Sequence, residues 1–259
     1  MQKLKEIRQT IVQMVHKAKV SHVGAAMSVV DILYVLYFKV ANLSKDKNRD
    51  VIILSKGHAS AALYSVLYHK GCLSKECIDN YSVDSGSLPC HIDKEKSECF
   101  EISSGSLGHG PSIGVGMAMA KKMDKNSGRV FVICGDGECN EGSVWEALMF
   151  AASNKLDNFV FIVDFNKFQG FGATNDVLDQ HNLADRIAAF GLDTVEIDGN
   201  NLDELEKALT KKSDRPIAIV ANTVKGKGVS YMENRLEWHY KSPNDEQLEI
   251  AMCELEEKY

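Results

Sequence analysis

The run RVFVICGDGECNEGSVWEALMFAASNKLDNFVFIVDFNKF, residues 129–168, reads as a strand, a glycine turn, a helix and a second strand. Residues 129–134 and 158–164 are short, apolar and rich in Val, Ile and Phe, the pattern of strands buried on both faces. The segment 142–154 between them has the length and spacing of a helix. One helix joining two such strands makes them parallel through a right-handed crossover. Their carboxyl ends then share one edge of the sheet, where open α/β sheets bind ligands. Gly135-Asp136-Gly137 ends the first strand and Asn166-Lys167-Phe168 follows the second, so Asp136 and Asn166 become neighbours although thirty residues separate them.

One carboxylate and one amide oxygen suit a hard cation such as Mg²⁺, whose remaining ligands are commonly water and substrate phosphates. A diphosphate is the natural companion. Gly135 and Gly137 remove side chains where phosphates approach, and the helix that follows offers free N–H groups. Gly-Asp-Gly alone also fits a capped turn. Asn166-Lys167-Phe168 after the next strand is what favours a metal–diphosphate site.

Working outward, the alternation continues. Helices are expected in the opening nineteen residues, over Ser28–Lys39, His58–Tyr68, 110–122, 182–190 and 201–212, and over Asp245–Lys258. Strands are expected at 51–54, 194–197 and 216–222, and the stretch from Gly71 to Leu107 reads as loop-rich. The expectation is an α/β fold, a doubly wound, mostly parallel sheet with helices on both faces, forming a single domain over residues 1–259.

A chain of 259 residues with 44% apolar content can bury a core of that size. The net charge of −6 is spread along the sequence, which argues against nucleic acid or an anionic membrane as partner. Seven scattered cysteines without a CxxC pair read as buried thiols in a reducing cytoplasm. The first residues alternate charge with Leu4, Ile7, Ile11 and Met14, unlike a signal peptide, and no segment reads as long enough to span a membrane.

The segment from Gly135 to Gly170 resembles the thiamine-diphosphate enzymes, and transketolases in particular, over its whole length. The resemblance implies that Asp136 and Asn166 ligate the metal by side chain and Phe168 by its carbonyl. It also places Glu141 and Glu146 near a subunit contact, with Gly135, Gly137 and Glu141 on the cofactor side. Four histidine strings fit the same family: Ser21-His22-Val23-Gly24, Ser55-Lys56-Gly57-His58-Ala59, Pro89-Cys90-His91-Ile92-Asp93 and Glu237-Trp238-His239. Histidine suits proton traffic near neutrality. By resemblance, His58 and His239 belong to the diphosphate and thiazolium side, His22 and His91 meet the hydroxyls and carbonyl of a sugar, and Gly105 and Leu107 lie against the pyrimidine ring.

The family pattern is Gly-His-Pro where this sequence has Ser21-His22-Val23 and Cys90-His91-Ile92. Losing both prolines frees the backbone beside these histidines and leaves their placement, and the sugar accepted, open. The Lys225-Gly226-Lys227-Gly228 loop lacks the spacing of a nucleotide phosphate loop. Small residues at 114–120 lie in a helix, where they read as packing rather than a dinucleotide fingerprint.

The resemblance implies transfer of a two-carbon ketol unit from a ketose to an aldose, using thiamine diphosphate and Mg²⁺. Full-length members continue into further domains that carry the glutamate activating the cofactor. The expectation is therefore a heterotetramer completed by a separate C-terminal subunit. Alternatives are transfer to a nucleotide-linked or unusual sugar, an α subunit of a 2-oxo acid dehydrogenase, and a non-catalytic cofactor-binding subunit.

Overall fold

The computed structural model describes residues 1–259. The helices are α1 (Gln2–Ala18), α2 (Val23–Val35), α3 (Ser60–His69), α4 (Lys75–Asp79), α5 (His109–Met123), α6 (Gly142–Ser153), α7 (Thr174–Val177), α8 (Leu183–Ala189), α9 (Leu202–Leu209) and α10 (Asp245–Lys258). The strands are β1 (Val51–Leu54), β2 (Val130–Gly135), β3 (Phe159–Phe165), β4 (Phe168–Gln169), β5 (Gly172–Ala173), β6 (Asp193–Asp198) and β7 (Ile217–Asn222).

Five strands form one parallel sheet in the order β1-β2-β3-β7-β6. Side chains alternate across it. Ile52, Phe131, Val160 and Ile219 face a core shared with α1, α2 and α3, whereas Ile53, Val132, Phe161 and Val220 face a second core under α5, α6 and α8. The expected doubly wound α/β architecture is the observed one.

Several boundaries move. The helix expected from Ser28 starts five residues earlier, as α2, and the Ser28 hydroxyl points inward to Asp164 at 2.6 Å. The loop-rich stretch contains the short helix α4, capped by Ser74. A two-stranded ribbon, β4 with β5, follows Asn166 where no strand was expected.

Two composition-based expectations are corrected. Val23–Val40, helix α2 with its π-helical extension, is apolar and long enough by length and composition to cross a membrane. Most of it is buried inside the protein, which fits a core helix. The cysteines are all free, but only Cys134 and Cys139 are buried, while Cys72 and Cys253 are exposed.

Candidate active site

The carboxyl ends of β1, β2, β3 and β7 deliver Lys56, Asp136, Asn166 and Lys225 to one edge of the sheet. Gly135 pairs with Asp164 in the sheet register, which sets Asp136 beside the turn after β3. Asp136 is buried. Its Oδ2 accepts the Lys167 N–H at 2.7 Å and the Thr174 hydroxyl at 2.8 Å, and its Oδ1 accepts the Gly137 N–H at 3.0 Å. Asn166 is buried too; its Oδ1 accepts the Phe168 N–H at 3.1 Å and its Nδ2 donates to Ser28 Oγ at 3.2 Å.

Burial raises the Asp136 pKa to about 6, against the opposing hydrogen bond from Thr174. A carboxylate so short of solvation is one that a cation would stabilise. The glycines divide the labour. A Cβ on Gly135 would meet only the Lys56 side chain, at 3.9 Å, so the space beside it is open to a phosphate. A Cβ on Gly137 would lie 2.7 Å from Gln169, so that glycine is required by packing. A 3₁₀ turn, Gly137–Asn140, separates Asp136 from the start of α6.

Two buried lysines escaped the sequence reading. Lys56 Nζ donates to Asp164 Oδ2 at 2.5 Å, and Asp164 also accepts from Ser28 and Thr223. Lys225 Nζ lies 3.1 Å from His239 Nδ1 and 6.0 Å from the centroid of the Phe168 ring. Burial, with Lys56 nearby, lowers the Lys225 pKa to about 8. A lysine in sequence reads as a solvated surface charge by default. Glu138 was also missed. Its buried carboxylate accepts from Ser55, from the Gly108 N–H at 2.9 Å and from the Gly135 N–H at 3.1 Å, tying three loops together.

The four histidines of the motifs come together. Ring centroids are 4.9 Å apart for His22 and His239, 5.1 Å for His22 and His58, 5.7 Å for His58 and His239, and 5.9 Å for His22 and His91. Burial lowers the pKa of His22 to about 4 and of His239 to about 3, and pushes His58 well below its usual value. These three imidazoles are neutral at pH 7 and each offers one N–H and one lone pair. Lys225 can only donate, so His239 accepts at Nδ1 and carries its proton on Nε2.

Backbone geometry holds the cluster. His22 takes a left-handed conformation, φ 75°, at the head of α2, and its N–H donates to the His239 carbonyl at 3.0 Å. Gly105 has φ +144°, and a Cβ there would lie 3.0 Å from Cδ2 of His91. A Cβ on Gly57 would lie 2.6 Å from the Ser104 backbone, so Ser104, just before Gly105 and Leu107 in the chain, packs close to the His58 turn. Glu141 is different: it is exposed at the head of α6 and backs onto Gly108, apart from the buried set.

The family described as transketolase, thiamine diphosphate binding domain, matches residues 1–254. This chain belongs to that family.

Transketolase relatives fall into two lengths. One of the short ones is a subunit of the apulose-4-phosphate transketolase of Phocaeicola vulgatus, 40% identical over 258 residues, covering 97% of this chain and 92% of the relative. The 6-deoxy-6-sulfo-D-fructose transketolase subunit SqwG of Clostridium sp. is 36% identical, covering 97% and 94%. Human transketolase is 35% identical over 243 residues, covering 91% of this chain but 38% of the human protein. The crystal structure of transketolase from Campylobacter jejuni superposes with a TM-score of 0.92 at 33% identity, covering 99% of this chain and 43% of that one. The chain thus spans less than half of the long transketolases and nearly all of the short ones. The transketolase resemblance read from the motifs is upheld.

Proposed function

We propose that this chain is the thiamine diphosphate-holding subunit of a two-chain transketolase that moves a two-carbon ketol unit from a ketose to an aldose. The observation that carries this reading is the match in length and sequence to relatives named as single subunits of transketolases, together with the four-histidine cluster beside Asp136 and Asn166. A 2-oxo acid dehydrogenase α subunit shares the metal turn but gives no reason for four converging histidines.

Residues 1–259 act as one diphosphate-side module. Asp136, Asn166 and the Phe168 carbonyl would hold Mg²⁺, and Lys225 and His58 would face the diphosphate beside Gly135. Gly105 and Leu107 would back the pyrimidine ring. When bound, thiamine diphosphate supplies the carbanion chemistry at the ketose carbonyl. The chain's own residues position and shield. His239 presents Nε2–H, His22 and His91 face the sugar oxygens, and the depressed pKa values of His22 and His239 keep those rings neutral, as hydrogen-bonding groups, near pH 7. Glu141, exposed, serves the subunit contact more readily than the cofactor.

The partner is a second chain carrying the activating glutamate and the remaining substrate contacts, in a cytoplasmic heterotetramer. The substrate is a ketose with an anionic end, since two relatives are named for a phosphorylated and a sulfonated sugar. The missing prolines beside His22 and His91 fit such a specialised sugar better than a strict housekeeping one.

Reconstitution tests the reading. This chain plus a C-terminal transketolase chain, thiamine diphosphate and Mg²⁺ should cleave ketose phosphates or sulfonates, and either chain alone should not. Full turnover by this chain alone would sink the two-chain proposal. Full activity after Asp136→Ala and His58→Ala would make it a non-catalytic subunit.

A further inference from the structure

The two histidines whose motifs depart from Gly-His-Pro share one arrangement. Ser21 Oγ lies 3.0 Å from Nδ1 of His22, and Cys90 Sγ lies 3.4 Å from Nδ1 of His91. Both contacts come from the residue immediately before the histidine, the position at which the family pattern has glycine. A chain with that pattern has no side chain there to make either contact.

The ring edges left over are defined by packing. Cδ2 of His91 is backed by Gly105, which leaves no room for a Cβ. With Nδ1 engaged and Cδ2 walled in, the Nε2 and Cε1 edge is what His91 offers to a ligand. His22 meets His91 edge to face, with an interplanar angle of 79°, and its backbone is held by the His239 carbonyl.

We propose that Ser21 and Cys90 are positioning residues that hold His22 and His91 by Nδ1, so that each ring presents Nε2–H to the oxygens of the ketose. This rests on the ketol-transfer reading of the site. A thiol S–H can donate to a ring nitrogen, so the Cys90 S–H points to Nδ1 and leaves Nε2 of His91 to carry the ring proton toward the ligand. The Ser21 hydroxyl does the same for His22. The side chain before each histidine restores the rigidity that a proline after it supplies in the family pattern.

The test has two independent arms. In the full chain labelled with ¹⁵N-histidine, long-range proton–nitrogen correlation near neutral pH should show His22 and His91 as single Nε2–H tautomers, with separate Nδ1 and Nε2 resonances. Ser21→Gly and Cys90→Gly should each collapse the corresponding pair toward averaged values, while Cys90→Ser keeps it separate. In the reconstituted two-chain enzyme with hydroxypyruvate as ketol donor, each glycine variant should lose about 3–10-fold in kcat, the rate equivalent of one modest hydrogen bond, at unchanged thiamine diphosphate affinity. Cys90→Ser should recover to within about twofold, as one hydrogen-bond donor replaces another. Averaged resonances in the wild type, or glycine variants with separate resonances and full kcat, would overturn the clamp. A wild-type assembly that cleaves no ketol donor would instead overturn the ketol-transfer reading, and the resonances alone would then decide the clamp.

Discussion

The amide N–H of Lys167 donates to Oδ2 of Asp136 at 2.7 Å, fastening the turn after β3 to the turn after β2. The carboxylate is therefore aimed by backbone before any ligand arrives. Asp136→Ala removes both the aim and the charge. Thiamine diphosphate affinity in the presence of Mg²⁺, measured by titration calorimetry, should fall at least about 100-fold, because even the loss of a supporting residue around a metal costs 10–100-fold. An affinity within a few-fold of wild type would remove Asp136 from the metal site.

Lys56 and Asp164 form a buried ion pair, 1% and 0% exposed at the side chain. Lys56→Met strands the Asp164 charge and should cost roughly 3–5 kcal/mol in urea unfolding. Lys56→Met with Asp164→Leu should recover part of that loss. Equal destabilisation in single and double variants would mean that the pair is not the reason Lys56 is buried.

Gly105 and Gly71 both have positive φ, +144° and +84°, but only Gly105 faces a neighbour. Ala at either position meets the backbone cost of about 1–3 kcal/mol. Gly105→Ala should in addition displace His91 and lower kcat in the reconstituted enzyme, while Gly71→Ala should lower the melting temperature alone. Equal kcat in the two variants would contradict the contact.

Acid should weaken the fold through the histidines. His22 and His239 have folded pKa values lowered to about 4 and about 3, against roughly 6.5 in an unfolded chain. The unfolded state takes up protons first, so stability is full above about pH 6.5 and falls as pH drops from there toward 4. Replacing His239 with Asn should flatten that part of the curve. A melting temperature that does not change between pH 7 and 5 would refute it.

The sheet was legible because β1, β2, β3 and β7 are short apolar runs, and Asp136 and Asn166 followed from where β2 and β3 end on either side of the single helix α6. The helix start at Val23 was not legible, since its N-cap, His22, makes no side-chain capping bond and is not a residue type that marks such a boundary in sequence. Lys56, Glu138 and Lys225 were hidden for another reason: burial of a charge is set by partners on other strands, loops and turns, not by local spacing. The β4–β5 ribbon has two-residue strands, too short for a period to show.

The hydrogen bond from His22 N–H to the His239 carbonyl spans 217 positions, 239 minus 22. Closing so long a loop precedes any reward from the contact, which places the histidine wall among the late events of folding. During synthesis the Asp136 and Asn166 turns emerge well before His239 leaves the ribosome. The four-histidine cluster therefore closes only when the last part of the chain arrives, long after the residues of the Asp136 turn have been made.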